Sequence, residues 1–240
     1  MVSALRKIRK KLLEEKRAQR YFFYAIGEIV LVVIGILIAL QINTWNKEKQ
    51  NRVLETTILE NLKEDLEIQK ELIQEQIDFE TSILIQVDSA KTFVSDTADK
   101  TVLERLFRDL GARRTFKANR ATFSNMISSG SINLIANADL QNKIVRYFQR
   151  LDYTESVVNN NNLYMVDSNF GAFVANNGLG LEVDENNNIV ATTKFTNKDK
   201  ATILSQLTYR SAGSDSVKNL SETLLQVTND LIREIEHYLQ

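Results

Sequence analysis

Mainly α-helical architecture is what this chain of 240 residues predicts: one N-terminal transmembrane helix running into a long helix, then an extracytoplasmic helical bundle with a small β-hairpin. Three observations predict it. There is no proline and there are only eight glycines, which favours long uninterrupted helices. One apolar run near the N-terminus is long enough to cross a bilayer. Beyond it, apolar residues recur at helical spacing almost to the C-terminus.

Taken in order, residues 1–20 form a basic cytoplasmic segment, holding eight of the 30 basic residues and only Glu14 and Glu15 of the 31 acidic ones. Residues 21–43 form the transmembrane helix. Tyr21 to Ile42 would extend about 33 Å as a helix, matching a bilayer core. Tyr21, Phe22, Phe23 and Tyr24 make an aromatic belt at one end, and Trp45 stands past the other. The positive-inside rule then places the N-terminus in the cytoplasm of a cell with an inner membrane, and residues 44–240 in the periplasm. A cleaved signal peptide fits less well, because the basic region is long and Leu37-Ile38-Ala39 is a poor cleavage site.

Glu28 lies inside this span, where a charge is expensive unless it is neutralised or partnered. Steps of three and four from Glu28 reach Val32, Gly35 and Ala39. Gly35 and Ala39 form a small-xxx-small pair on the same stripe, so Glu28, Gly35 and Ala39 read as a helix-packing face. The plainer alternative is a shallow glutamate that reaches for headgroups.

The segment "YAIGEIVLVVIGILIALQINTWN" resembles the anchor of an uncharacterised, domain-of-unknown-function family of Bacteroidota single-pass membrane proteins. A second stretch, "TFSNMISSGSINLIANADLQNKIVRYF" (residues 122–148), is similar to that family's internal pattern. Thr44 departs from the anchor, which often has a second asparagine there. The resemblance implies a basic start, this span and a helical region, and it brings no activity or catalytic residue.

From Asn46 to Val94 there is neither glycine nor proline, and a stalk helix is expected over 46–95, with the bundle over 99–240. Leu62, Ile73 and Leu84 stand eleven apart, which suits a straight helix. The stalk is either a coiled coil between protomers or the first helix of an intramolecular bundle. The bundle is favoured because Gln69 and Glu80 interrupt the seam. Helices follow at Thr101–Leu110, ending at Gly111, and at Asn119–Ser129, ending at Gly130. Another spans Asp139–Asp152 and extends through Val166 and Phe170, weakened by Asn159–Asn162. The "DENNN" turn between "LEV" and "IVATT" signals the hairpin. Two closing helices, Lys198–Arg210 and Ser216–Leu239, complete the domain.

Chemistry is sparse. The single histidine, His237, and the absence of cysteine leave no zinc site or Ser–His triad, so no enzyme, metal or cofactor is expected. Asp184, Asn186 and Asn188 have calcium-loop spacing, but Ile189 and Phe195 stand where glycine and glutamate are needed, and a turn is expected. Asp65 and Asp78 read as a solvated helix face. Arg105, Arg108, Arg113, Arg114, Lys117 and Arg120 form a basic cluster: a candidate patch for an anionic partner, or cations paired with the acidic stalk. Nucleic acid is excluded by topology. The expected role is a non-enzymatic interaction or accessory module in the cell envelope, touching membrane lipid, other envelope proteins or itself. The alternative is a ligand-sensing domain that signals through a partner.

Overall fold

The computed structural model describes residues 17–96, 107–176, 182–190 and 196–240. They divide into two units, Met1–Leu54 and Glu55–Gln240. Residues 1–16 of the basic segment expected over 1–20, and the first part of the helix expected at Thr101–Leu110, lie outside the described residues.

Helix α1 (Arg17–Asp96) enters both units. In the first, every side chain from Ile26 to Leu54 is exposed, including Ile29, Leu31, Leu37, Leu40 and Trp45. Its most apolar window has a mean hydropathy of 2.6 with none of it buried, so this helix is long and apolar enough to cross a membrane.

The second unit contains the rest of α1, followed by α2 (Ala121–Ser129), a 3-10 turn (Ser131–Leu134), α3 (Ala138–Asn161), a π-helix (Asn162–Gly171), α4 (Ala172–Asn176) and α5 (Asn197–Leu239). Residues 107–110 are also helical. Local chemistry sets the ends. Gly130 stops α2 with φ 72°, a left-handed position that costs glycine little. Asn137 accepts from the backbone of Asp139 and Leu140 to start α3, and Thr196 with Asp199 forms a capping box at the head of α5.

The buried seam of α1 corrects the eleven-residue reading. The buried positions 55, 59, 62, 66, 69, 73, 76, 80, 83, 87, 90 and 94 follow one another in steps of four and three, with Ile77 buried beside this seam. That is a heptad repeat, the period of helices that supercoil left-handedly. The eleven-residue spacing arose from Leu84, which is only half-buried while Ile83 beside it is fully buried. Gln69 and Glu80, read as interruptions, are core positions and each 1% exposed. The seam packs within its own chain, as the bundle reading expects.

Helix α5 carries the same repeat: 203, 207, 210, 214, 217, 221, 224, 228, 231 and 235 are buried. It is one helix, where two had been expected on either side of Ser211–Asp215. Gly213 is no break there. A Cβ on it would sit 2.8 Å from Asn161 Oδ1 and 3.1 Å from Met165 Sδ, so the glycine serves close packing against the α3 region. Past Asn161 the buried positions become 162, 166 and 170, four apart, as the wider π turn requires.

Strands β1 (Glu182–Val183) and β2 (Ile189–Val190) pair antiparallel over two residues each around the Asp184 turn. Among the described residues no longer strand occurs. The hairpin expected over "LEV" and "IVATT" is therefore not supported as an element of the fold, which helices carry, and 191–195 lie outside the description. Asp184 Oδ1 accepts from the backbone of Asn186 (2.9 Å) and Asn188 (2.7 Å), a turn that needs no calcium.

Candidate functional site

The residues singled out in the sequence separate into two places. Glu28, Gly35 and Ala39 are exposed on α1 in the first unit, and nothing lies within 4 Å of a Cβ built on Gly35. The basic cluster lies on an extended strap, residues 112–120, and on what precedes it. Arg113 pairs with Asp167, Arg114 with Glu75, and Arg120 with both Asp152 and Glu155. Arg108 and Lys117 are exposed, and Arg105 lies outside the described residues.

The strap is held by more than charge. Phe116 and Ala118 are buried beneath it. Asn159 makes a reciprocal pair with the Phe116 backbone, accepting from its N at 3.3 Å and donating to its O at 3.1 Å. Asn162 donates to Arg114 O, Glu155 accepts from Ala118 N, and Gln69 accepts from Asn119 N at 2.7 Å. Asp65 corrects another expectation. It accepts from Thr122 N at 2.7 Å and from the Asn119 amide, so it caps α2 from a neighbouring helix rather than standing in solvent.

A third feature escaped sequence reading. The Tyr238 hydroxyl donates to Glu55 at 2.7 Å, Lys63 pairs with Glu236, and Arg210 lies beside Glu80, so α5 runs antiparallel to α1. Tyr147 with Thr228 (3.1 Å) and Lys143 with Glu234 (2.6 Å) set it antiparallel to α3 as well. In this register the bundle alternates in chemistry. Leu66, Leu224 and Leu151 make an apolar layer, and Gln69, Ser221 and Thr154 a polar one. Ile73, Val217 and Val158 follow as apolar, then Gln76, Ser214 and Asn161 as polar, then Glu80 with Arg210.

The last two polar layers separate two apolar clusters. One is built around Leu59–Ile77, Leu140–Val158 and Val217–Ile235. The other comprises Ile83, Val87, Ala90, Val94, Phe107, Leu110, Phe170, Ile203 and Leu207. Arg210, 1% exposed, donates from each of its three guanidinium nitrogens. Its Nε donates to Leu110 O (3.0 Å), Nη2 to Ala112 O (3.2 Å) and Nη1 to Ser214 Oγ (2.5 Å). Gln76 Nε2 donates to Glu80 Oε1 at 2.9 Å. Burial pushes the Glu80 carboxyl above its ordinary range, against the Ser214 hydroxyl, the Arg210 charge and the Gln76 amide. Burial likewise pulls Arg210 down, with Glu80 opposing. The Tyr147 hydroxyl is pushed up to about 12 by burial, offset in part by its bond to Thr228.

Several polar atoms of these layers are buried with no protein partner: Gln69 Nε2, Ser221 Oγ, Gln76 Oε1, Glu80 Oε2 and Asn161 Nδ2. The signal that could have found the layers was the heptad phase, had polar residues been allowed to occupy it. Among the described residues no three His, Cys, Asp or Glu side chains group as metal ligands.

The model of DUF6090, a family of unknown function, matches residues 28–205. The chain belongs to this family. The match begins at Glu28 and takes in Gln76, Glu80 and Asn161, whereas Arg210 and Ser214 follow its end. No curated protein and no solved structure matches the chain.

Proposed function

We propose that the protein is a single-pass inner-membrane protein of the cell envelope, with its N-terminus cytoplasmic and its helical domain periplasmic, acting as a non-enzymatic interaction or accessory module. The carrying observation is the head of α1, whose apolar window is wholly unburied. About 25 cal/mol for each Å² of apolar surface is lost when such a helix stands in water, and a bilayer removes that cost. The eight basic residues before the span support the orientation. The Bacteroidota anchor that "YAIGEIVLVVIGILIALQINTWN" resembles belongs to the same reading. Glu28, Gly35 and Ala39 are the face through which the span meets a second helix, from another copy or from another envelope protein.

Alkaline phosphatase fused to Gln240 is expected to be active, and green fluorescent protein at the same position dark. The opposite pattern refutes the orientation. For the packing face, crosslinking of the full chain in membranes is expected to fall with Gly35→Leu and with Glu28→Leu, while Val33→Ala, on the opposite side of the helix, changes little. Unchanged crosslinking in both variants refutes the face and leaves a plain anchor.

A second reading, a ligand-sensing domain, is favoured by a groove of about 480 Å³ between α3 and α5, where Arg146 and Arg150 stand opposite Asp230 and Glu234 over Val227 and Leu231. Native mass spectrometry of the purified chain decides it: a bound small molecule lost on Arg146→Ala supports sensing, and none counts against it.

A further inference from the structure

Charge is unevenly satisfied along the groove between α3 and α5. Lys143 bridges it at one end, donating to Glu234 on α5 at 2.6 Å. Asp230, the other carboxylate in its wall, is held by Arg233 on its own helix. Both acids are therefore engaged. Arg146 and Arg150 also line the groove and are exposed, and among the described residues neither pairs with a carboxylate. They stand four apart on α3, so their side chains are neighbours and their like charges repel. A guanidinium presents a planar fork of donors that fits a carboxylate or a phosphate. Two such forks one turn apart can close on a single anionic group.

The floor beside them is apolar. Val227 and Leu231 supply it from α5, and Tyr147 from α3. The Tyr147 hydroxyl is already bonded to Thr228 Oγ1 at 3.1 Å, which leaves the ring as lining. Tyr153, three residues beyond Arg150 and 62% exposed, continues the same flank of α3. The groove's volume of about 480 Å³ lies within the range of about 300–1,000 Å³ found for small-molecule pockets.

On the ligand-sensing reading of this groove, on which the inference rests, we propose that the ligand is a small organic anion with an apolar body. Its carboxylate or phosphate group is gripped between Arg146 and Arg150, and its body lies on Tyr147, Val227 and Leu231. Both features are required. A cation meets Lys143, Arg146 and Arg150 at once, and inorganic phosphate leaves the apolar floor in water. A neutral apolar molecule leaves the two guanidiniums repelling each other with nothing between them.

The test is a titration of the full chain in phosphatidylcholine nanodiscs, read by arginine side-chain NMR, with empty nanodiscs as the blank. Arg146→Gln and Arg150→Gln assign the two Nε–H signals. The probes are 4-phenylbutyrate and phenyl phosphate, and the comparators are 4-phenylbutanol, 4-phenylbutylamine and inorganic phosphate. A saturable shift of both signals is expected with at least one aromatic anion, with binding about ten-fold weaker for each comparator. The tighter of the two anions identifies the head group. Arg146→Gln and Arg150→Gln are each expected to weaken that binding by about five-fold. Lys117→Gln, which removes the same charge from the strap, leaves it unchanged. No shift with either anion overturns the proposal. So does equal binding of the alcohol or the amine, or anion binding that ignores both arginine variants. The sensing reading falls separately, when native mass spectrometry finds no bound molecule of any charge.

Discussion

Glu80 and Arg210 carry the largest consequences of any single residues. Since burial raises the folded-state pKa of Glu80 above its ordinary 4.5, its contribution to stability is fully present below that pH and is lost as pH rises through the folded value. Glu80→Gln removes the titration. Its stability relative to the wild type, followed by denaturant unfolding from pH 4 to 8, is expected to improve as pH rises, and parallel curves would refute this. Arg210 behaves differently, since no other side chain could reach Leu110 O, Ala112 O and Ser214 at once. Arg210→Met strands both carbonyls and the Glu80 charge, and is expected to cost about 3–5 kcal/mol in the same measurement. At Gly213 two effects oppose. Alanine gains up to about 1 kcal/mol in helix propensity, but its Cβ would lie 2.8 Å from Asn161 Oδ1. Overpacking of about 1–3 kcal/mol wins, so Gly213→Ala destabilises. Asn161→Ala in the same chain is expected to relieve part of that loss, and strictly additive effects would show that the approach is not the cause.

Among the elements, the strap over 112–120 depends on side chains from its neighbours, since it belongs to no helix or sheet. Its backbone is met by Asn159, Asn162, Glu155 and Gln69, and its arginines by Asp167, Glu75, Asp152 and Glu155. The amide contacts matter more than the ion pairs, because exposed pairs contribute only about 0–1 kcal/mol each. Asn159→Ala is therefore expected to cost about 1–2 kcal/mol and to speed hydrogen exchange at the Phe116 amide, whereas Arg113→Ala changes global stability little. Equal effects would reverse that ranking. This is also where sequence reading falls short. Helix periodicity located α2, α3, the end at Gly130 and the start expected at Lys198 to within a few residues, because caps and apolar spacing are local signals. Asn159–Asn162 looked like a weakness because the partner that justifies them lies more than forty residues earlier in the chain. Asp65 looked solvated for the same reason, its work being done at Thr122. Two helices were expected where α5 is one, because only the neighbouring helix shows what a side chain at Gly213 would strike.

For the whole molecule, the heptads of α1, α3 and α5 hold both the apolar substance of the core and its polar layers. The sequence displayed the apolar part plainly. It concealed the polar part, since glutamine and glutamate at core phase resemble interruptions until a partner helix is set beside them. Alternation of this kind contributes specificity at some expense in stability. Gln69→Leu with Ser221→Ala is expected to raise the melting temperature of the bundle, and a fall would mean the layer stabilises in its own right. The alternation also makes the bundle self-checking. If α5 slid by one layer, Ser214 would fall opposite Ile73 and Val158, and Val217 opposite Gln69 and Thr154. A slide of two layers, about 10 Å, would drive the Arg210 guanidinium into the Ile73 layer. Neighbouring misalignments are thus rejected by chemistry rather than by shape, much as a key cut with two kinds of teeth turns at only one depth.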